Sequence, residues 1–423
     1  MRRLKKRLLG TTALVACALP AAFHAPGKAA ATDVLVLRNA KVYTSPTAPP
    51  IAGGTVVVRG ARILQVGKAV SVPPGARIID CTGMVVTAGF QNSHVHFTEP
   101  RWENSGAQPA DRLTAQLAAM FAMYGFTTVV DTGSVFANTS RLRGRVEAGE
   151  VAGPRIIPSI ATLFPPKGLP IYVRGSQALK GWVPDEPETA EAAVAAVQRN
   201  KGEPKDILKL FTGSLVTYEN IKPMPIEVAR AAAAEAHREG RLVWAHPSNI
   251  EGVQVAMEAG VDVLAHTTSA PGAWSPELIA NLVRRKMALV PTLKLWKYVT
   301  ESAPDPAAGE GMLQNGIAQV RDFSRAGGRV LFGTDVGFMH DYDPADEYAY
   351  LARALTPVEI LAALTTAPAE EFQEGDRRGQ VAAGMDADLL VLGSDFAEDA
   401  RNFADVRYTI RQGKILYPLK PLD

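Results

Sequence analysis

Cysteine is almost missing from these 423 residues: Cys17 and Cys81 are the two present. Cys17 sits in a leader-like start, so a chain trimmed of that start keeps one thiol. An internal disulfide is then excluded, whatever the redox compartment. Acidic side chains are missing from residues 1–31, which carry Arg2, Arg3, Lys5, Lys6, Arg7 and Lys28. The formal net charge of +2 therefore resides in that start. Beyond it, 39 basic residues face 43 acidic ones, a mildly acidic balance. No nucleic-acid partner is expected, because that would need a basic face on the folded part. Long apolar runs are also scarce. The run from Leu8 to Phe23 is too short to make a convincing membrane span. No internal repeat or low-complexity tract appears outside the start, apart from an alternation of strands and helices described below.

A basic start, an apolar run and small residues after it read as an export signal over 1–31. Cleavage after Ala29-Ala30-Ala31 would release a periplasmic or secreted protein beginning near Thr32. Leu14-Val15-Ala16-Cys17 also fits a lipoprotein processing box, which would leave a lipid anchor on Cys17 as the one membrane contact. Arg2-Arg3 is a poor twin-arginine match, and an uncleaved anchor is the remaining alternative.

Hydrophobic residues make up 47% of the chain, ample for one large domain or two. Residues 33–83 hold short β-rich runs (33–37, 55–59, 62–66 and 77–80) broken by Gly and Pro turns. From about Val85, apolar strands alternate with Ala-rich helices. Candidate strands lie at 84–90, 127–131, 155–158, 207–211, 242–245, 261–265, 288–291 and 330–333. Helical stretches at 111–123, 187–199, 226–239, 250–259, 276–286 and 310–326 separate them. Eight strand–helix units in this length predict an α/β fold, a (β/α)8 TIM barrel over 85–375. A doubly wound open sheet is the alternative. After a last helix from Pro357 to about Phe372, residues 388–392, 406–410 and 414–416 turn β-rich again. The two ends, 32–84 and 376–423, are expected to build one small β-sandwich domain together.

Against this frame the stretch Gln91-Asn92-Ser93-His94-Val95-His96 carries chemistry. Residues two apart on a strand point to one face, so both imidazoles reach one point in space. Two neutral imidazoles form half of a tetrahedral metal site. A pair of satisfied strand-end histidines is the plain alternative, and the rest of the chain decides between them. In a barrel, the carboxyl ends of the strands share one mouth where active sites sit. His246 and His266 end the fifth and sixth strands, and Asp335 follows the eighth. Lys209 lies inside the apolar fourth strand, where an unpaired ammonium is costly. His24, His237 and His340 fall outside this pattern.

Together with Tyr124-Gly125-Phe126-Thr127-Thr128-Val129-Val130-Asp131, Gly333-Thr334-Asp335 and Gly384-Met385-Asp386-Ala387-Asp388-Leu389, these residues resemble the amidohydrolase superfamily. The likeness covers nearly all of the chain past the leader and lies near prolidase-type dipeptidases and imidazolonepropionase-like proteins. It implies two divalent metal ions, zinc being suited and manganese or cobalt also fitting. His94, His96 and Asp335 would hold one ion, and His246 and His266 the other. Lys209, carboxylated by carbon dioxide, would bridge them. Asp335 would then be the catalytic base and acid for a metal-held hydroxide. Many members carry Pro and Asp where this chain has Ala88 and Asn92. Mononuclear deaminases and imidazolonepropionase place a carboxylate where this chain has Asn249, and they lack the lysine. That favours hydrolysis at a binuclear centre over deamination.

The small-molecule substrate is expected to meet loops after the strands. Arg101, Arg174 and Lys294 could bind its carboxylate, and Tyr172 could line its site. Each charge is otherwise a solvated loop residue. The expected reaction is cleavage of an amide in an N-acyl amino acid or dipeptide-like molecule. Hydrolysis of cyclic amides, lactones or other esters comes second. A catalytically silent binding scaffold comes third, and the intact set of six ligand positions speaks against it. The sequence leaves the oligomeric state open, a homo-oligomer included.

Overall fold

The computed structural model describes residues 34–174, 182–269, 272–301 and 307–419. Residues 1–33, where the expected export signal, its cleavage site and Cys17 fall, lie outside the described residues. The chain opens with β1 (Val34–Val42), β2 (Ile51–Arg59), β3 (Arg62–Gly67), β4 (Arg77–Asp80) and β5 (Val85–Ala88). Nine residues long, β1 pairs with β2 antiparallel and with β4 and β5 parallel.

Eight strands then form one parallel sheet in chain order: β6 (Phe90–Val95), β7 (Phe126–Asp131), β8 (Arg155–Leu163), β9 (Ile207–Phe211), β12 (Val243–His246), β13 (Val263–Ala265), β14 (Ala288–Val290) and β15 (Arg329–Val330). A hairpin, β10 (Gly213–Thr217) and β11 (Asn220–Pro223), is inserted after β9. Strand order equals sequence order throughout, so there is no switch point and the doubly wound alternative is excluded. Although β15 has two ladder residues, the chain beyond it is tied to β6. Ser93 N donates to Phe332 O (2.7 Å), Asp335 N to His94 O (2.9 Å) and His96 N to Val336 O (2.8 Å). These bonds close the (β/α)8 barrel and set Asp335 beside His94.

The helices are α1 (Ala110–Met120), α2 (Phe136–Glu147), α3 (Ala190–Gln198), α4 (Ile226–Arg238), α5 (Ile250–Ala259), α6 (Pro276–Arg284), α7 (Lys294–Tyr298), α8 (Ala307–Arg325), α9 (Ala345–Leu351), α10 (Pro357–Leu364) and α11 (Thr366–Glu371). Among the described residues, no helix is long and apolar enough to cross a membrane. Inside the barrel, Val130, Ile157, Trp244, Val263 and Leu331 form an apolar cluster with Phe372, which stacks on Trp244. This plug leaves the opposite end for polar groups.

The chain then returns to the first sheet through β16 (Leu389–Leu392), β17 (Val406–Arg411) and β18 (Lys414–Tyr417), with β16 antiparallel to β5. Leu37, Val56, Ile63, Val86, Val391 and Ile410, from both chain ends, share one buried core. Cys81 is a free, buried thiol in it. At the junction with the barrel, Arg155 on β8 binds Glu374 bidentately (2.6 and 2.9 Å). Arg378 joins Glu374 (3.2 Å) to Asp386 (3.0 Å) and Asp388 (3.4 Å).

Three readings are corrected. The strand expected over 84–90 is two strands, since β5 belongs to the small sheet and β6 starts the barrel. Gly89 separates them, donating its N–H to Asp388 O at 2.8 Å. A Cβ there would sit 2.4 Å from the Thr127 hydroxyl oxygen, so the chain passes against β7 only as glycine. Helix α2 carries a weak sequence signal. Its buried stripe is Thr139, Leu142, Arg143 and Val146, and an arginine and a threonine hide the apolar period. Arg143 is neutralised there by an ion pair with Asp206. Lys294–Tyr298, expected as loop, is the helix α7.

Replacing Gly89→Ala is expected to lower the unfolding free energy by about 1–3 kcal/mol, because buried Thr127 cannot move aside freely. A urea titration reads it, and an unchanged midpoint would contradict the close-approach account.

Candidate metal centre

The six groups singled out by sequence are found at one end of the barrel. His94 lies on β6 and His96 just past it, Lys209 is mid-strand in β9, and His246 ends β12. His266 directly follows β13, and Asp335 lies beyond β15. Ring centroids are 5.3 Å apart for His94–His96, 4.5 Å for His94–His266 and 4.7 Å for His246–His266. The four imidazoles thus form a continuous row. Asp335 Oδ1 is 3.0 Å from His96 Nε2 and 3.3 Å from His94 Nε2. Ligand atoms of His94, His266 and Asp335 all lie within 4.8 Å of one another, a span that one cation can fill. His266 (φ 77°) and Asp335 (φ 59°) both hold left-handed backbone, as do Ser248 (φ 53°) and Thr292 (φ 47°) beside them. Non-glycine residues rarely adopt it, and such strain concentrates where side chains must be aimed.

Hydrogen bonds assign the ring tautomers. Thr292 Oγ1 donates to Pro291 O (2.8 Å), so toward His266 Nδ1 at 2.6 Å it can only accept. His266 therefore carries its proton on Nδ1 and presents Nε2 as a lone pair. Ser248 Oγ donates to Gly213 O (2.9 Å) and accepts from His246 Nε2 (3.0 Å), which leaves Nδ1 of His246 as the free donor atom. His96 Nδ1 donates to Gly133 O (3.0 Å), freeing Nε2 toward Asp335. Partners of this kind orient metal-binding histidines. None of them was read from the sequence, because a serine, a threonine and a glycine carbonyl gain this role only through backbone turns.

Burial supplies the electrostatics. It pushes His94 down to about 3 and His246 and His266 well below the usual imidazole range, so these rings are neutral, the ligand form. Burial also pushes Lys209 down to about 7, against the pull of Asp335 and Asp131. Its Nζ lies over the Phe211 ring (5.5 Å to the centroid), and that ring stacks on His246 at 4.8 Å, so the amine sits beside the histidine row. Burial opposes it, yet the Asp335 carboxyl is held well below its ordinary value, so it stands as the anion of the cluster. His94 Nδ1 and Nε2 and Asp335 Oδ1 are buried without a hydrogen-bond partner. An anion and two ring nitrogens left unpaired in a dry site are costly. A divalent cation facing them removes that cost, and the donor set of imidazole and carboxylate fits one.

The surroundings brace this arrangement. Asp131 accepts from Ser134 Oγ (2.7 Å), and Ser134 Oγ accepts from Phe97 N (2.7 Å), fixing the loop beyond His96. Asn92 joins β6 to the eighth strand, donating to Thr334 Oγ1 (2.7 Å) while its oxygen accepts from His94 N (3.2 Å). Asn249 caps α5 by accepting from Gly252 N (2.8 Å).

Of the substrate candidates, Lys294 binds Asp341 (2.6 Å) and the Asp343 carbonyl (2.7 Å), and Arg101 binds Glu99 (3.3 Å) while covering the Tyr342 ring. Both cations are thus already engaged. Arg174 is exposed, with Nε on Leu169 O (3.0 Å). Tyr172, 37% exposed, faces Phe338 (5.4 Å) and His246 (6.4 Å), and Phe338 reaches Tyr298 (6.2 Å). An aromatic wall therefore adjoins the histidine row. Residues 175–181 of the Pro-rich run that ends at Trp182 lie outside the described residues.

Comparison with known proteins gives the family and the fold. A putative prolidase from Bifidobacterium longum superimposes with a TM-score of 0.76 at 26% identity, covering 93% of this chain and 96% of that one. Ochratoxinase from Aspergillus niger is 25% identical over 205 residues, 45% of this chain. That match spans 41% of ochratoxinase's own length. Imidazolonepropionase from Porphyromonas gingivalis is 23% identical over 86% of this chain and 89% of its own. Residues 85–416, which contain all six convergent groups, match the model of the amidohydrolase family, and the chain belongs to that family.

Proposed function

We propose that this chain is an exported, metal-dependent hydrolase that cleaves the amide bond of an N-acyl amino acid or dipeptide-like molecule. The observation that carries the reading is a row of four imidazoles beside Asp335, in which His94, His266 and Asp335 bring ligand atoms within 4.8 Å of one another and three buried ligand atoms lack hydrogen-bond partners. His94, His96 and Asp335 would hold one divalent ion, and His246 and His266 a second. Lys209, carboxylated on Nζ, would lie between them as an oxygen donor. Zinc suits these ligands, with manganese or cobalt as alternatives. Bound there, such ions polarise a carbonyl oxygen and make water a nucleophile at neutral pH.

The remaining work falls to the chain's own side chains. Asp335 takes a proton from the attacking water and returns it to the departing nitrogen as the C–N bond breaks, so acid and amine leave in balance. The Nδ1–H bond to Thr292 and the Nε2–H bond to Ser248 keep His266 and His246 in the tautomers needed through that cycle. Tyr172, Phe338 and Tyr298 offer an apolar wall for the substrate's side chain. Arg174, two residues beyond Tyr172, has guanidinium nitrogens left for a substrate carboxylate, since among the described residues its side chain's one hydrogen bond is Nε to Leu169 O. Export rests on the basic, then apolar, start of the chain, with delivery to the periplasm or medium; a lipid anchor on Cys17 is the alternative.

The test is a panel of dipeptides, N-acyl amino acids, cyclic amides and lactones, offered to zinc- and bicarbonate-loaded protein. Amine release is expected from wild type, with a loss of roughly 10²–10⁴-fold in Asp335→Asn. Turnover of lactones or cyclic amides alone would replace this reading with the second one. Tyr172→Ala is expected to raise KM for substrates with an aromatic side chain by roughly two- to tenfold and to leave kcat unchanged, as loss of an aromatic contact would. A fall in kcat with KM unaltered would contradict that placement.

A further inference from the structure

Glu347 is a fully buried carboxylate outside the six convergent groups. It projects from α9, and its two oxygens are taken by two successive backbone donors: Leu293 N reaches Oε1 at 2.9 Å and Lys294 N reaches Oε2 at 2.7 Å. The residue before that pair is Thr292, fully buried, with φ 47°. Thr292 is also the residue whose hydroxyl accepts from His266 Nδ1 at 2.6 Å. The carboxylate therefore pins the peptide units just past the turn that aims His266.

Left-handed backbone is strained for a β-branched residue, so the turn persists only where something holds it. Glu347 holds one side through the two N–H groups. Its own seat is firm, because neighbouring Tyr348 stacks on Phe332 at 4.9 Å, at the end of the strand that leads to Asp335. Burial pushes the Glu347 carboxyl up to about 7, and the two amide bonds favour its ionised form. Two N–H groups need two acceptors, and a carboxylate supplies both, whereas a carboxamide supplies one and turns its own donors on the other.

We propose that Glu347 is a positioning residue for His266, acting through the Leu293 and Lys294 amides on the Thr292 hydroxyl. The role rests on the reading of His266 as a metal ligand. It predicts that loss of the carboxylate loosens one metal ion without removing any group that touches it.

The experiment is a chelator competition on zinc-loaded full-length protein, which reads the Kd of each ion for wild type, Glu347→Gln, Thr292→Val and the double variant. Each single change is expected to weaken one ion by roughly 10–100-fold and to leave the other ion unchanged. The double variant is expected to be no weaker than the worse single, because both changes interrupt one path. If Glu347→Gln does not fold, Glu347→Asp, whose shorter arm cannot span both N–H groups, takes its place in the same cycle. A lower melting temperature with both Kd values intact, or losses that add in the double variant, overturns the proposal. A wild type that binds no ion overturns the metal reading and this one with it. A wild type with two ions beside variants that match it overturns this one alone.

Discussion

The structure depends on a conflict among buried polar groups at one end of the barrel. Four imidazoles, an amine and a carboxylate are packed together, with His94, His266, Lys209 and Asp335 buried, and they do not satisfy one another. His94 has neither ring nitrogen bonded, and Asp335 Oδ1 has close neighbours but no hydrogen bond. A fold that wanted only stability would replace such a set with apolar side chains. Keeping it, with left-handed backbone at His266 and Asp335, makes sense if cations complete the site.

The rest of the barrel can be read as the means of holding that arrangement. Trp244, Phe372 and the apolar side chains around them fill the lower interior, so polar groups are confined to the upper end. Backbone bonds from His94 and His96 to the eighth strand close the barrel and in the same step bring Asp335 to the histidines. The same hydrogen bonds serve closure and site geometry. The composite sheet from the chain ends lies away from the chemistry, joined to the barrel through Arg155, Glu374 and Arg378.

Much of this was legible from residue order. Strand-end histidines stand out because period-two strands and a barrel mouth leave few places for chance agreement, and the buried Lys209 marks itself by its cost. The eightfold alternation, the return of the chain to its first sheet and the amidohydrolase family followed from the same pattern. What stayed hidden depends on three-dimensional turns. Ser248, Thr292 and Gly133 look like ordinary loop residues until their hydrogen bonds to imidazoles are seen. Helix α2 was masked by a paired arginine on its inner face, and the break at Gly89 by a run of apolar residues that reads as one strand. Lys294 and Arg101 looked like free loop cations and are already bound to carboxylates.

The central claim is that these six residues hold two divalent ions with a carboxylated Lys209 between them. It is tested most directly by elemental metal analysis combined with carbon-13 NMR of protein equilibrated with labelled bicarbonate, on wild type and Lys209→Arg. The account predicts two ions and one protein-bound carbamate carbon per wild-type chain. It predicts no carbamate and at least one ion lost from the variant. A single ion beside an unmodified lysine amine in the wild type, or a carbamate signal that survives in Lys209→Arg, would contradict it.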